Sequence, residues 1–240
     1  MLNTQKHKTK MIKILKDIYS DTSLSSLLGF KGGTATYLFY NLSRFSTDLD
    51  FDLLKEDKKQ EVIKKLKKIL KKHGTITETK INKGFSNSIS FILSYQKHLQ
   101  NISIDISYRE INKKNSYEIK NYLGISIKVM KKTDMFAHKL VALTDRKHIT
   151  NRDIYDIWFF TDKDWDINKD IVKLRTNKNL SNYIDECIKI IQSVNQKNIL
   201  QGIGDLFEEE ENTETKKQWI KDNLKKETIS NLKIYKETHT

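Results

Sequence analysis

Residues 30–52 begin with the run FKGGTAT, at positions 30–36, and end with the run DLDFD, at positions 48–52. The glycine pair Gly32-Gly33 stands just before an apolar segment that favours a helix, so the backbone there can approach a ligand closely. The free N–H groups at the start of that helix suit a phosphate, and Thr34 adds a hydroxyl. The motif is not the nucleotide-binding P-loop, because no Lys-Ser or Lys-Thr follows the second glycine. Taken alone, a glycine-rich turn without a ligand is the better interpretation.

The DLDFD run has the alternation of a β-strand. Leu49 and Phe51 are expected to face a core, while Asp48, Asp50 and Asp52 share the opposite face. Two carboxylates about 4 Å apart repel each other by on the order of 4 kcal/mol at an effective dielectric near 20, so a cation has to offset them. Hydrated Mg²⁺ is the natural candidate, and an acidic sheet edge exposed to water is the alternative. A glycine turn, a helix and an acidic strand in succession favour the metal site. Asp52 is expected to support the metal ligands without binding the metal itself.

The composition excludes several classes of protein. The chain has 240 residues, with 44 Lys and Arg against 31 Asp and Glu, and a formal net charge of +13. No apolar run approaches the roughly 18 residues that a membrane span needs, and the polar, basic N-terminus is unlike a secretory signal. Cys187 is the only cysteine, which excludes an internal disulfide and fits a cytoplasmic protein. The charge favours an anionic partner such as a nucleotide or nucleic acid, with a solvated lysine-rich surface as an equally good alternative.

Patterns along the chain predict an α+β fold in two domains. A helix is expected over residues 7–28, and an amphipathic helix over 57–73 whose lysine face is more typical of a solvated surface than of an RNA contact. Further strands are indicated over residues 75–82, 88–95, 101–108 and 123–129. Beyond Met130 the pattern is helical, over residues 133–144, 151–161, 168–175, 180–195 and 215–235. We predict a domain over residues 1–130 with a mixed β-sheet flanked by helices, and a helical bundle over residues 131–240. The acidic run 208–211 is interpreted as a solvated connector or a helix start.

The predicted strand at 101–108 carries a further acid. Ile102, Ile104 and Ile106 point to one side of the strand, and Ser103 and Asp105 point to the other. Asp105 is therefore available as another metal ligand from a neighbouring strand.

Three further runs make the sequence recognisable as a member of a family. RFSTDLDF at positions 44–51 follows the Gly-Gly-Thr turn, and MFAHKLVAL at positions 135–143 is followed by RDIYDIW at positions 152–158. Together these runs resemble the nucleotidyltransferase superfamily of DNA polymerase β type. More narrowly, they resemble the AbiEii/AbiGii toxin family of type IV toxin–antitoxin and phage abortive-infection systems. The resemblance extends from Phe30 to Phe160, and Gly-Gly-Thr stands where the wider superfamily has Gly-Ser.

The resemblance implies transfer of a nucleotidyl group from a nucleoside triphosphate to a hydroxyl, with release of pyrophosphate. Two Mg²⁺ ions, or Mn²⁺ in their place, would be held by Asp48, Asp50 and Asp105, and Asp105 is also a candidate base for the incoming hydroxyl. Nucleotide contacts are expected from five residues: Lys31, Gly32, Gly33, Thr34 and Arg44. Arg44 has an equally good alternative, which is an ion pair with an aspartate.

The second half of the resemblance adds three charged residues on two predicted helices. Lys139 lies on an otherwise apolar helix, where it either extends to water or reaches a phosphate. Asp153 and Asp156 share a face of the next helix. In the structural interpretation, Asp153 is a first-turn acid and Asp156 pairs with Arg152; in the functional one, at least one of them orients Lys139 or the acceptor. The resemblance favours the functional interpretation, so Lys139, Asp153 and Asp156 are candidate catalytic residues.

The resemblance also implies a biological role. It predicts a toxin that blocks growth by modifying RNA such as tRNA, a helical domain that completes the active-site cleft, and a cognate antitoxin as partner. Two alternatives stay open. The first is a catalytically inactive, basic RNA-binding module, and the second is a nucleotidyltransferase that modifies a small molecule.

Overall fold

The computed structural model describes residues 3–84, 87–97, 99–109, 114–146, 148–207 and 213–240. The chain divides into two compact units. The first unit comprises residues 1–41 and 45–130, and the second comprises residues 42–44 and 131–240. The acidic run 208–211, interpreted above as a connector or a helix start, lies outside the described residues.

Two of the helices of the first unit, the first and the last, are amphipathic and rich in lysine. Within its described residues, the helices of this unit are α1 (Thr4–Ser20), α2 (Thr22–Leu27), α3 (Gly32–Tyr40) and α4 (Lys59–His73). The single helix expected over residues 7–28 is wrong, because Asp21 separates α1 from α2. The Asp21 carboxylate accepts hydrogen bonds from the backbone N–H groups of Ser23 and Leu24, which caps the first turn of α2. The helix expected over 57–73 is confirmed as α4, and Gly74 follows its last residue as predicted.

A seven-stranded mixed sheet forms the centre of the described part of the first unit. Its strands are β1 (Leu28–Lys31), β2 (Leu49–Leu53), β3 (Thr75–Asn82), β4 (Ser88–Ser94), β5 (Ile102–Ser107), β6 (Tyr117–Tyr122) and β7 (Ile125–Met130). The spatial order is β3-β4-β5-β2-β1-β7-β6. The pairs β2–β5 and β1–β7 are parallel, and the other neighbours are antiparallel. The mixed sheet with helices confirms the predicted α+β class, whereas β1 and β6 are absent from the sequence prediction.

The two faces of the central strands differ in polarity. Phe30, Phe51 and Ile104 are fully buried on one face, where each stabilises the fold by roughly 1.5–3 kcal/mol. Helix α1 covers this face, since the Tyr19 ring lies 6.5 Å from the Phe51 ring and its hydroxyl donates to the Leu28 carbonyl. Successive side chains alternate between the faces of a strand, so Asp50 points to the other face.

The second unit is helical in its described residues. It contains α5 (Lys132–Asp145), α6 (Asn151–Asp162), α7 (Lys169–Thr176), α8 (Leu180–Ser193) and α9 (Thr213–His239). These match the five helices expected beyond Met130, with ends displaced by a few residues. Aromatic side chains fill the core, where the Phe160 and Trp165 rings stack with centroids 4.4 Å apart. Across the described ranges, no helix combines the length and the apolar composition that crossing a bilayer requires.

Candidate active site

The acidic strand β2 lies at the centre of the sheet. Asp50 is paired with Lys31 of β1 on one side and with Asp105 of β5 on the other. Paired residues on neighbouring strands point to the same face, so these three side chains share one surface of the sheet. Leu49 and Phe51 are fully buried on the opposite face, as the sequence predicts.

The glycine turn lies directly against the acidic strand. Gly32 has φ +77°, and a Cβ built on it would clash with Oδ2 of Asp50. Glycine is therefore required there twice, once for its backbone conformation and once for the approach of the carboxylate. The structure thus brings together Gly32 and Asp50, which the sequence assigns to a single site.

Thr34 connects the same turn to the start of the acidic strand. Its side chain is fully buried, and its hydroxyl donates a hydrogen bond of 2.5 Å to the main-chain carbonyl of Asp48. The hydroxyl that the sequence assigns to a phosphate is thus bonded within the protein, where it joins the first turn of α3 to the residue before β2. A phosphate contact through Thr34 stays a prediction.

His7 forms a hydrogen bond to Thr47, the residue before Asp48, and no sequence pattern had indicated it. Nε2 of His7 donates to the Thr47 carbonyl at 2.9 Å, because that oxygen can only accept. Nδ1 is then left to accept the Tyr95 hydroxyl at 3.0 Å. Burial lowers the pKa of His7 below its usual 6.5, although the Thr47 carbonyl and the Asp48 charge act in the opposite direction. No local motif marks this histidine, since its partners lie far away along the chain.

Asp52 shares the face of Asp50 but is fully buried. Its carboxylate receives Nζ of Lys31 at 2.5 Å, the Tyr117 hydroxyl at 2.6 Å and the Asn115 amide at 2.8 Å. Burial and then the Asp52 charge raise the pKa of Tyr117 far above its ordinary value. Asp52 is therefore buried among its partners, whereas Asp48 and Asp50 are partly exposed. Lys31, which we expected to contact a nucleotide, pairs with Asp52 in this structure.

Asp105, the expected third metal ligand, lies beside Asp50 but is hydrogen-bonded within the protein. The two carboxylate oxygens of Asp105 accept hydrogen bonds from the hydroxyls of Ser90 and Ser103. Among the described residues, no group of three or more His, Cys, Asp or Glu side chains is arranged to hold a metal ion. The three expected ligands are therefore not assembled into one group.

A smaller donor set still suits the expected metal. Asp48 and Asp50 are only partly buried and supply carboxylate oxygens, the donors that Mg²⁺ prefers. Mg²⁺ commonly takes one or two protein carboxylates and completes its coordination with waters and substrate phosphates. The pair Asp48 and Asp50 fits that requirement in its chemistry.

The second unit contains a buried cluster of charged side chains, which we call the ion cluster: Arg44, Lys139, Asp153 and Asp156. Asp156 accepts two hydrogen bonds from the Arg44 guanidinium, at 2.7 and 2.6 Å, and lies 2.8 Å from Nζ of Lys139. Asp153 lies 2.9 Å from the same Nζ and 3.0 Å from Nη1 of Arg146. Both acids thus contact Lys139, and the expected pairing of Asp156 with Arg152 is replaced by pairing with Arg44 and Lys139.

Attraction between opposite charges outweighs the effect of burial on the pKa values of Asp153, Asp156 and Lys139. Burial alone would raise the pKa of Asp156, but Arg44 and Lys139 bring it below its ordinary value. Asp153 behaves in the same way, through Lys139 and Arg146. Burial alone would lower the pKa of Lys139, but the two aspartates raise it. Lys139, Asp153 and Asp156 therefore stay charged around neutral pH.

Comparison with known proteins gives one family and several similar folds. The sequence model of the family described as "Nucleotidyl transferase AbiEii toxin, Type IV TA system" matches residues 13–225. A crystal structure of a candidate nucleotidyltransferase from H. pylori is 22% identical, with a TM-score of 0.60 over 98% of this chain and 95% of that one. JHP933 from Helicobacter pylori is 21% identical, with a TM-score of 0.59 over 99% and 94% of the two chains. At these identities the likeness shows a shared fold, and no curated protein matches the chain.

Proposed function

The chain belongs to the AbiEii nucleotidyl transferase toxin family of type IV toxin–antitoxin systems, and we propose that it transfers a nucleotidyl group to RNA in a metal-dependent reaction. Family membership confirms the resemblance found in the sequence. It makes the chain a nucleotidyltransferase and implies a nucleoside triphosphate as substrate and an antitoxin as partner. The metal, the RNA acceptor, which we take to be tRNA or a similar RNA, and a role in abortive infection are parts of the proposal.

The observation that carries the proposal is the contact between the glycine turn and the acidic strand. A triphosphate needs backbone N–H groups for its phosphates and a cation beside them, and the two have to be adjacent. Gly32 lies against the Asp50 carboxylate, and α3 starts at Gly32. Phosphates received at the start of α3 would therefore lie beside Asp50.

Each residue of this surface has a proposed part. Asp48 and Asp50 would hold Mg²⁺, or Mn²⁺, which when bound neutralises the phosphates and activates the attacking hydroxyl. The N–H groups of Gly32 and Gly33 would receive the phosphate oxygens. Asp105, fixed by two serine hydroxyls, would accept the proton of the incoming hydroxyl.

The ion cluster contributes one further candidate contact. Lys139 keeps 17% of its side chain exposed, whereas Arg44, Asp153 and Asp156 keep 3% or less. Lys139 is therefore the most exposed member of the cluster, and we propose that it contacts a phosphate and that Asp153 and Asp156 orient it. A direct nucleotide contact by Arg44 stays a prediction, because its guanidinium is bound to Asp156.

The test is a transfer assay with each α-labelled nucleoside triphosphate, Mg²⁺, and either total RNA or a metabolite extract. We expect label in RNA with the wild-type protein and none after chelation of the metal. The variant D50N should lower transfer by more than about 100-fold, since even residues behind metal ligands commonly contribute 10–100-fold. D57N is the matched control, because Asp57 is an exposed acid that follows the same strand. It should transfer like the wild type.

Other outcomes contradict parts of the proposal. Label in the metabolite fraction alone would identify a small-molecule nucleotidyltransferase. RNA binding without transfer of any nucleotide would identify an inactive binding module. Undiminished transfer by D50N would overturn the assignment of the acidic strand.

A further inference from the structure

The positive charge of the chain is concentrated on two helices of the first unit. That unit has 23 Lys and Arg against 12 Asp and Glu, whereas the second unit has 21 against 19. Helices α1 and α4 alone contain twelve lysines and two acids, Asp17 and Glu61. These two helices thus account for +10 of the net charge of +13.

The lysines of α1 and α4 form one surface, which we call the lysine surface. The two helices pack against each other, and Nε2 of His73 on α4 lies 3.0 Å from the Asp17 carboxylate on α1. Among the described residues, only Lys65 of these twelve lysines makes an ion pair, and Lys8, Lys10 and Lys59 contact neutral groups. Within the same described part of the chain, the side chains of the other eight make neither kind of contact: Lys6, Lys13, Lys16, Lys64, Lys67, Lys68, Lys71 and Lys72. Several stand four residues apart on a helix, a spacing at which like charges repel. The surface therefore lacks most of the counter-charge that it needs.

A concave site lies at one end of the lysine surface. It is lined by Lys6, Lys10 and Lys13 of α1 and by Tyr95 and Gln96, which follow β4. The Tyr95 ring is held in place by His7, and Nζ of Lys10 lies 6.0 Å from the centre of that ring. Ammonium groups beside an aromatic ring are the combination that binds phosphodiesters and stacks bases in single-stranded nucleic acid.

The concave site is connected to the candidate active site. Tyr95 donates to His7, and His7 donates to the carbonyl of Thr47, the residue before Asp48. The lysines themselves do not serve the active-site carboxylates, because α1 covers the Phe51 face of the sheet and Asp50 points to the other face.

We propose that the lysine surface, with the concave site at Tyr95, is the docking surface for the sugar–phosphate backbone of RNA. The identity of the partner rests on the acceptor class proposed above, whereas the location rests on charge. A membrane surface fits less well. A helix that binds a bilayer inserts apolar side chains, and those of α1 and α4 are buried inside the unit.

The test compares two triple variants that each remove three charges from exposed lysines of one helix. The first is K6Q/K13Q/K16Q on α1, and the control is K221Q/K226Q/K233Q on α9 of the second unit. Binding to a fluorescein-labelled RNA hairpin with a single-stranded end is measured by anisotropy over a range of salt concentrations. We expect the α1 variant to bind about tenfold more weakly, and its salt slope to fall by about 2, as three lost phosphate contacts predict. The control should change less than twofold.

Three further measurements make the result decisive. K64Q/K68Q/K72Q on α4 should weaken binding in the same way, which guards against a folding defect in the α1 variant. Equal losses in the α9 control would overturn the proposal. The proposal would also be overturned if the α1 and α4 variants kept their RNA binding but lost binding to phosphatidylglycerol vesicles. That result would identify a membrane surface. D50N should bind RNA like the wild type while it loses transfer, so a failure of the proposed reaction is distinguishable from a failure of the docking surface.

Discussion

The acids of the two units are used in opposite ways. In the first unit, Asp50 is partly exposed on the polar face of a sheet, against a glycine that leaves room for its carboxylate. In the second unit, Asp153 and Asp156 are almost completely buried, and each meets two cationic side chains. Family resemblance marks all three as important, but Asp50 keeps contact with solvent, whereas Asp153 and Asp156 are enclosed with their cationic partners.

The same contrast occurs within a single strand. Asp50 and Asp52 lie two residues apart on the same face of β2. Asp52 is fully buried and is bound by Lys31, Asn115 and Tyr117. The neighbouring strands therefore decide how deeply an acid on this face is buried, and mutations can test that distinction.

The largest expected effect is on stability, in the ion cluster. D156A leaves Arg44 and Lys139 buried without their shared partner, so we expect a loss of about 3–5 kcal/mol in the free energy of unfolding. The measurement is urea denaturation followed by far-UV circular dichroism. D162A on the same helix is the control, since Asp162 is exposed, and it should stay within about 0.5 kcal/mol of the wild type. A loss below about 1 kcal/mol in D156A would show that the cluster is not a balanced, buried unit.

The second effect distinguishes the contact at Asp50 from backbone strain. Gly32 and Gly124 have nearly equal positive φ angles, +77° and +78°, but a Cβ at Gly124 would meet nothing within 4 Å. Both alanine variants should lose about 1–2 kcal/mol from the left-handed backbone. G32A should also displace the Asp50 carboxylate and abolish nucleotidyl transfer, while G124A should remain active. Thermal unfolding and the transfer assay measure the two effects, and equal activity in both variants would contradict the proposed role of the close approach.

Local patterns were sufficient for much of the fold. The amphipathic period of α4 and the alternation of β5 were readable because the core lies on one side of each element. Strand β1 was missed because its four residues join the end of α2 directly to the glycine turn, so no break marks them. The helix expected over residues 7–28 included Asp21, which in the structure caps the start of α2. Capping depends on the backbone conformation at Asp21, which the hydropathy pattern does not reveal.

Partners that lie far apart in sequence could not be predicted in the same way. Arg44 and Asp156 are separated by 112 positions, and the pair depends on packing within the second unit. The three groups that bind Asp52 come from different strands and a loop, so its burial has no signature in the DLDFD run. The sequence could place the acids on one face, but only the neighbouring strands decide how deeply each of them is buried.

The smallest expected effect is a pH dependence that His7 brings to the first unit. Burial lowers the pKa of His7, so the folded protein keeps it neutral while the unfolded chain takes up a proton below about 6.5. The free energy of unfolding should therefore fall as the pH decreases from about 6.5 through the lowered pKa. Asp153 and Asp156, whose pKa values are lowered, lose their contribution as the pH falls from the ordinary carboxyl value of 3.8 through their lowered pKa values, so their loss begins at a lower pH than that of His7.

The variant H7Q tests this, because glutamine can still donate to the Thr47 carbonyl and accept from Tyr95 but does not titrate. Urea denaturation at several pH values between 4 and 7.5 should show a shallower decline for H7Q than for the wild type, with the exposed His148 changed to Gln as the control. Identical slopes in all three proteins would mean that His7 is not held neutral. Protonation of Nδ1 removes the acceptor for Tyr95 and places a positive charge near Asp48, so the same change should lower transfer activity towards acid pH. Once the pH falls below the lowered pKa of His7, H7Q should therefore retain a larger share of its activity at pH 7.5 than the wild type does, since its hydrogen bonds around Thr47 do not depend on a proton.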